Sequence, residues 1–224
     1  QLATFSDTFE IFSFQVGDLV YDFSAPSQNE QQEADNWSNC YLICQGQVRV
    51  LSFDPKKQRH VSIQLLEQGE LFGGDTLSEE SSFSYQVVAA QSSSTVQVAC
   101  VSPSQQQRWF QHNPKLKTPW LEAAQKRQCL IFLKTLTELG CFPTHRLEKL
   151  LPYVQEIQIS EGEALAQVTP AQAGRFWLRQ GKIEPSFVQA WGYPDAIPAD
   201  WFAKSTLWVY YLPKNYLTTL PSFK

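Results

Sequence analysis

The residues best suited to metal binding and nucleophilic chemistry are three histidines and five cysteines, and their positions predict neither activity. His60, His112 and His145 have no neighbouring metal-type ligands, whereas a metal site needs three or four ligands together. The cysteines lie at positions 40, 44, 100, 129 and 141 without a Cys-x-x-Cys pair, which favours free thiols. GxSxG and Walker-type loops are absent. We therefore predict no catalytic residue, no metal site, no cofactor and no enzymatic activity.

The composition sets further bounds on function. With 43% hydrophobic and 13% aromatic residues, the 224-residue chain can bury a substantial core. Its net charge is -4 and it has no dense basic stretch, which argues against nucleic acid as a main partner. No run of eighteen apolar residues occurs, so neither a membrane-spanning helix nor a signal peptide is predicted, and a cytoplasmic location is expected. The absence of Met favours a piece of a longer protein.

The first hundred residues have the pattern of an antiparallel β domain. Short alternating runs are separated by Gly17-Asp18, by Gly46 and by a turn that contains Pro55, while a polar stretch from Ser24 to Asn36 predicts an exposed loop. Even spacing of short strands between glycine and proline is typical of a β-sandwich or β-barrel. We therefore predict a small barrel from Phe12 to Val101.

Helices are predicted after this barrel. Ser102 precedes Pro103 in the arrangement of an N-cap followed by proline at the first helical position. A second helix is predicted from Thr118-Pro119 to Gly140, and its apolar positions are 121, 129, 130, 133 and 136. Such a helix either packs on its own barrel or forms a homodimer through residues 117–140, and the pattern leaves both alternatives open.

The second half of the chain repeats features of the first half. "GRFWLRQGKIEPSFV" matches "NCYLICQGQVRVL" in the order of an aromatic residue, Leu, Gln-Gly and an alternating strand. "VQEIQISEGEAL" reaches Gly162 much as the opening strand reaches Gly17. These similarities predict an internal repeat with a shorter second copy.

Three segments together resemble the cyclic-nucleotide-binding family, of which the catabolite activators are members. They are "FQVGDLVYDF", "CYLICQGQVRVL" and "LLEQGELFGGDTLSEESSFSYQVVAAQSSSTVQVACV", and the resemblance covers about residues 9–140. It implies a mainly β fold with helices, in which a jelly-roll-like β-roll barrel is followed by a long helix and then by a second abbreviated copy. The implied domains are residues 1–140 and residues 141–224, the second one degenerate.

The third segment resembles the family's phosphate cassette. Family members cradle a cyclic phosphate on backbone amides there, with an Arg for the charge and a Glu for the ribose hydroxyl. Gly69, Glu70 and Phe72-Gly73 match this pattern, but Gly74 occupies the position of the Glu, and Ser84 or Tyr85 that of the Arg. A missing charge-assisted bond removes about 1.5–3 kcal/mol, and Asp75, Glu79 and Glu80 would repel a phosphate. The predicted degenerate ligand site comprises Glu70, Phe72, Gly73, Gly74, Asp75, Ser84, Tyr85 and Gln86.

The resemblance also suggests a setting for the chain. Tandem modules with an abbreviated second copy resemble the cytoplasmic amino-terminal regions of bacterial ABC exporters that carry a peptidase domain. This implies a non-catalytic regulatory or interaction region with weak or no binding of cyclic AMP or cyclic GMP. Its partners would be the rest of a membrane transporter and a small ligand in the barrel. The alternative is a fragment of a catabolite-activator-type transcription regulator, although the region after Gly140 is β-rich and lacks a basic helix-turn-helix.

Overall fold

The computed structural model describes residues 9–23, 39–75, 83–90, 95–169 and 173–218. These residues form antiparallel sheets and helices, which confirms the predicted mainly β fold with helices. The chain divides into two compact units, residues 1–144 and 145–224, close to the predicted boundary at residue 140. Among the described residues, no helix combines the length and the apolar character needed to cross a lipid bilayer. The predicted loop of residues 24–36 lies outside the described ranges.

The first unit is a β-roll of two four-stranded antiparallel sheets, with strand orders β1-β8-β3-β6 and β2-β7-β4-β5. Alternation in the sequence forms these strands, since every second residue of the fourth strand is buried and faces the interior. The strands are β1 (Glu10–Phe14), β2 (Leu19–Phe23), β3 (Cys40–Gln45), β4 (Val48–Asp54), β5 (Arg59–Leu66), β6 (Leu71–Gly73), β7 (Tyr85–Ala89) and β8 (Val96–Val101).

Two helices follow the roll, α1 (Pro103–His112) and α2 (Lys117–Thr135). Ser102 is the N-cap of α1, as predicted, and it forms a capping box with Gln105. Helix α2 ends five residues before the predicted stop at Gly140, and a 3-10 helix follows over Glu138–Cys141. The cause is Thr137, whose backbone is extended and whose hydroxyl donates to the Leu133 carbonyl while accepting from the Leu139 amide.

Helix α2 packs on strands β4, β5 and β6, and its second half is buried on every side. All seven residues from Arg127 to Leu133 are buried. Leu136, which was predicted to belong to the apolar stripe, is instead 39% exposed. The inward stripe of the first half consists of Trp120 and Ala124 and continues through Arg127 to Ile131.

The second unit contains one larger and one smaller sheet. Its helices are α3 (Thr144–Glu148, beginning at the boundary), α4 (Leu165–Val168) and α5 (Lys214–Leu217). Its strands are β9 (Gln155–Ile159), β10 (Gly174–Gln180), β11 (Ile183–Glu184), β12 (Ala190–Gly192), β13 (Phe202–Ala203) and β14 (Leu207–Pro213). Within the described part of this unit, β11 and β13 form a sheet of only two strands.

The larger sheet of the second unit has the order β9-β14-β10-β12, which corresponds to the order β1-β8-β3-β6 of the first unit. Both sheets have an irregular register next to a Gln-Gly pair, at Gln45 in β3 and at Gln180 in β10. The hydrogen bonds that the glycine of the first turn makes in each unit also correspond. The Gly17 amide donates to the Ala89 carbonyl at 2.9 Å, and the Gly162 amide donates to the Ala203 carbonyl at 2.8 Å.

Candidate functional site

The predicted phosphate cassette connects β6 to β7, and its first residues are buried. Gly73 and Gly74 have left-handed φ values of 75° and 70°. A Cβ atom on Gly73 would lie 2.4 Å from the Asn39 carbonyl oxygen, so glycine is required there. The Gly74 amide donates to the same oxygen at 3.0 Å. The Gly74 amide is therefore already occupied by a bond within the protein.

A carboxylate of the protein itself lies in the cassette. Asp75 is 1% exposed, and its Oδ2 atom accepts from Nη2 of Arg127 at 3.0 Å and from the Tyr85 hydroxyl. Its Oδ1 atom accepts from Nε2 of Gln128 at 2.8 Å. Three donors thus hold one buried negative charge, as a bound anion would be held.

Arg127 reaches this carboxylate from helix α2. Its Nη2 atom also donates to the Gly73 carbonyl at 2.9 Å, and its guanidinium carbon lies 5.0 Å from the centre of the Tyr85 ring. Burial has the largest single effect and lowers the pKa of Arg127, but the charge and hydrogen bond of Asp75 together with Tyr85 and Tyr21 outweigh it, so the pKa is raised overall. Burial also raises the pKa of Tyr85 well above its ordinary value, so its hydroxyl stays protonated and donates.

Gln128 connects the two ends of the cassette. Its Nε2 atom binds Asp75 at the start of the segment, and its Oε1 atom accepts from the Phe83 amide at 2.6 Å near the end. One residue of α2 therefore holds both ends of the connection between β6 and β7.

Aromatic rings fill the interior of the roll beside the cassette. Tyr41 stacks on Phe72 with ring centres 4.9 Å apart, and Tyr21 lies 5.1 Å from Tyr41 and 5.8 Å from Tyr85. Phe23 completes the cluster at 5.4 Å from Tyr85. Burial raises the pKa of Tyr41 to about 12, so these phenols stay neutral. The interior of the roll on this side of the cassette is therefore filled by aromatic side chains.

Not every predicted site residue takes part. Gly73 and Asp75 both bond to the Tyr85 hydroxyl, Gly74 lies between them in sequence, and Phe72 belongs to the aromatic cluster. Three others are directed elsewhere. The Glu70 carboxylate accepts from the Glu67 amide at 2.7 Å within an exposed turn. Ser84 is exposed, and Gln86 donates to Asp22 across β2 and β7 at 2.9 Å. Glu79 and Glu80, which were expected to repel a phosphate, lie outside the described residues.

The sequence analysis missed Arg127 and Gln128. It found no cation for the cassette and treated Asp75 as an unpaired repulsive charge, whereas Arg127 pairs with Asp75 in the buried site. A signal was available, because Arg127 is in helical phase with the inward residues Trp120, Ala124 and Ile131. An arginine on a buried stripe needs a partner in the core.

The second unit has a similar but more exposed arrangement. Nη1 of Arg175 donates to the Gly192 carbonyl at 3.1 Å and lies 3.3 Å from Oδ2 of Asp195. Asp195 is 73% exposed. A Cβ atom on Gly192 would lie 2.4 Å from the Gly174 carbonyl oxygen, as Gly73 approaches Asn39 in the first unit. Among the described residues of the chain, no group of three or more metal-ligating side chains occurs.

No protein-family model matches this sequence, and no curated protein matches it significantly. Solved structures with low sequence identity are similar to parts of the chain. The catabolite activator protein of Thermus thermophilus has 18% identity and a TM-score of 0.40, covering 59% of each chain. The c-di-GMP responsive global regulator CLP of Xanthomonas campestris has 15% identity and a TM-score of 0.43, covering 67% of this chain and 69% of its own. A cyclic nucleotide-binding-like protein of Brucella abortus has 13% identity and a TM-score of 0.36, covering 49% of this chain and 82% of its own.

Likeness at these identities concerns the fold and does not extend to ligand or partner. The strand orders, the glycine turns and the helices that follow the roll are themselves features of this chain. On these features the first unit is a two-sheet β-roll followed by helices.

Proposed function

We propose that this chain is a non-catalytic regulatory or interaction region whose first module works without cyclic AMP or cyclic GMP. The observation that carries the proposal is the Asp75 carboxylate, which lies in the cassette and neutralises Arg127 at 3.0 Å. A cyclic phosphate would have to displace a negative charge that is already held by three donors. It would also meet the aromatic cluster inside the roll.

Calorimetry with cyclic and linear nucleotides tests this proposal. We expect no tight cyclic AMP or cyclic GMP site in the unaltered chain, because Asp75 and the phosphate compete for one guanidinium. The variant Asp75→Ala leaves Arg127 unpaired and should bind inorganic phosphate or cyclic AMP measurably better. Asp195→Ala, which alters the exposed pair of the second unit, is the matched control and should change nothing. A submicromolar dissociation constant of the unaltered chain for cyclic AMP would overturn the proposal.

We further propose that the second unit is an abbreviated copy of the first. The matching strand orders, the corresponding turn bonds at Gly17 and Gly162 and the Arg175–Asp195 pair beside Gly192 support this relationship. Within the described residues its second sheet is reduced to two short strands, which leaves little of a nucleotide pocket. On this proposal the domains are residues 1–140 and 141–224.

The setting that we propose is the cytoplasmic amino-terminal part of a larger ABC-type exporter. The remainder of the transporter would then be the partner of these modules. Tandem modules with an abbreviated second copy support this placement through the resemblance of the sequence. The test is the coding region that follows Lys224, where peptidase, membrane-spanning and ATPase segments are expected. A helix-turn-helix in their place would contradict it.

A second copy of the chain and nucleic acid are two further candidate partners. A homodimer through residues 117–140 would have to use the first half of α2, because the segment from Arg127 to Leu133 is buried. Chromatography with light scattering and the variant Leu121→Glu test this contact. We propose no nucleic-acid partner, and specific DNA capture in a gel-shift assay at low salt would instead favour the transcription-regulator alternative.

A further inference from the structure

A cleft of about 290 Å³ lies between strand β5, the turn before β6 and the first half of helix α2. The polar residues of its lining are Gln64, Glu70, Glu122, Lys126 and Arg127, and the apolar ones are Leu66, Leu71, Pro119 and Ala123. The volume is just below the roughly 300–1,000 Å³ typical of small-molecule sites. A cleft of this size suits a compact molecule.

Arg127 lines the cleft, and one of its buried donors is unused. The Arg127 side chain is 2% exposed, and its Nε atom has no hydrogen-bond partner among the described residues. Its Nη1 and Nη2 atoms are occupied by Leu71, Gly73 and Asp75. A buried N–H group without an acceptor is costly, so an acceptor from a bound molecule would satisfy it.

The charges around the cleft indicate the class of molecule. Asp75 already neutralises Arg127, so the remaining charged groups of the lining are Lys126 and the carboxylates of Glu70 and Glu122. Glu122 precedes Lys126 by four positions on α2, the spacing at which the two charges offset each other. A phosphate or carboxylate would gain no net positive field here. An uncharged acceptor such as a carbonyl or a ring nitrogen would meet no such penalty.

We propose that this cleft binds a small uncharged heterocycle or amide, whose acceptor atom takes the Nε–H of Arg127 and whose apolar face lies on Leu66. Binding of such a molecule goes beyond the proposed function. It rests on that proposal in one respect, namely that Asp75 neutralises Arg127. The cleft itself lies on the β5 side of α2 and uses an atom that the cassette leaves unused.

Matched probe pairs test the proposal: nicotinamide against nicotinate, benzamide against benzoate, and inorganic phosphate. The readout is the Nε–H cross-peak of Arg127 in ¹H–¹⁵N spectra, assigned by its loss in Arg127→Lys. We expect saturable shifts of this peak with the amides and little or none with the anions. Arg127→Lys keeps the positive charge but removes Nε, so the dissociation constant for nicotinamide should rise at least tenfold. Arg59→Lys, at an exposed position, is the control and should leave it unchanged.

The variant Ala123→Phe keeps the proposal testable if Arg127→Lys fails to fold. Ala123 lines the cleft from α2, so a phenyl group there fills the space while Arg127 and Asp75 stay paired, and nicotinamide binding should be lost. The proposal is overturned if no amide moves the Nε–H signal, or if nicotinate or phosphate binds more tightly than nicotinamide. Tight cyclic AMP binding by the unaltered chain would overturn the proposed function alone, so the two failures are distinguishable.

Discussion

Breaking the Asp75–Arg127 pair is the sharpest perturbation of this module. Asp75→Asn keeps the size of the side chain but removes its charge, which leaves the buried Arg127 uncompensated. Loss of one partner of a buried ion pair costs about 3–5 kcal/mol. With a urea m-value of about 2 kcal/mol per molar, that corresponds to a midpoint lowered by roughly 1.5–2.5 M.

The reverse change and the double change complete a thermodynamic cycle. Arg127→Met removes the cation and leaves a carboxylate held only by Tyr85 and Gln128, so its cost should be similar. The double variant contains no buried charge at this site. It should lose about 2 kcal/mol less than the sum of the two single variants, because paired neighbours are not additive.

The assay must report the first unit alone. Hydrogen exchange of peptides from β4 and α2 during urea titration does so, because both elements belong to that unit. Asp195→Asn provides the control, since its carboxylate is 73% exposed and an exposed pair is worth less than about 1 kcal/mol. The reasoning is refuted if Asp75→Asn costs no more than Asp195→Asn, or if the two single changes simply add.

Three further outcomes are expected. Gly73→Ala should cost several kcal/mol more than Gly17→Ala, because both positions have positive φ but only Gly73 is pressed against a carbonyl oxygen; thermal unfolding compares the two, and equal losses would contradict this. Tyr85→Phe should cost about 1–3 kcal/mol, because it leaves the Gly73 amide and the carboxylate without the hydroxyl; a neutral result in urea unfolding would argue against that bond. Burial would raise the pKa of Asp54, but hydrogen bonds from Lys57 lower it overall, so its contribution should be complete above about pH 4 and be lost as the pH falls through the lowered pKa. Urea midpoints against pH for the unaltered chain and Asp54→Asn should therefore converge in acid, and a constant gap would contradict the assignment.

The local parts of the fold were predictable because they depend on neighbouring residues. Residues within a few positions of each other determine the alternation in β4 and the capping box at Ser102. The end of α2 was not predictable, because the hydrogen bonds of the Thr137 hydroxyl determine it. Arg127 was missed for a related reason. Its partner is 52 residues away, and no local pattern reveals which carboxylate a buried arginine will meet.

Burial of a charge on α2 has a consequence for how the helix docks. If α2 slid by one turn, Ala123 or Ile131 would lie where Arg127 lies, and Asp75 would be buried without a cation. Such a penalty discriminates strongly between neighbouring alignments, whereas apolar contacts such as those of Ala124 and Ile131 discriminate weakly. The ion pair therefore fixes the alignment in which α2 docks on the roll. We expect that replacing it with apolar residues would leave a helix that still docks but samples more than one alignment.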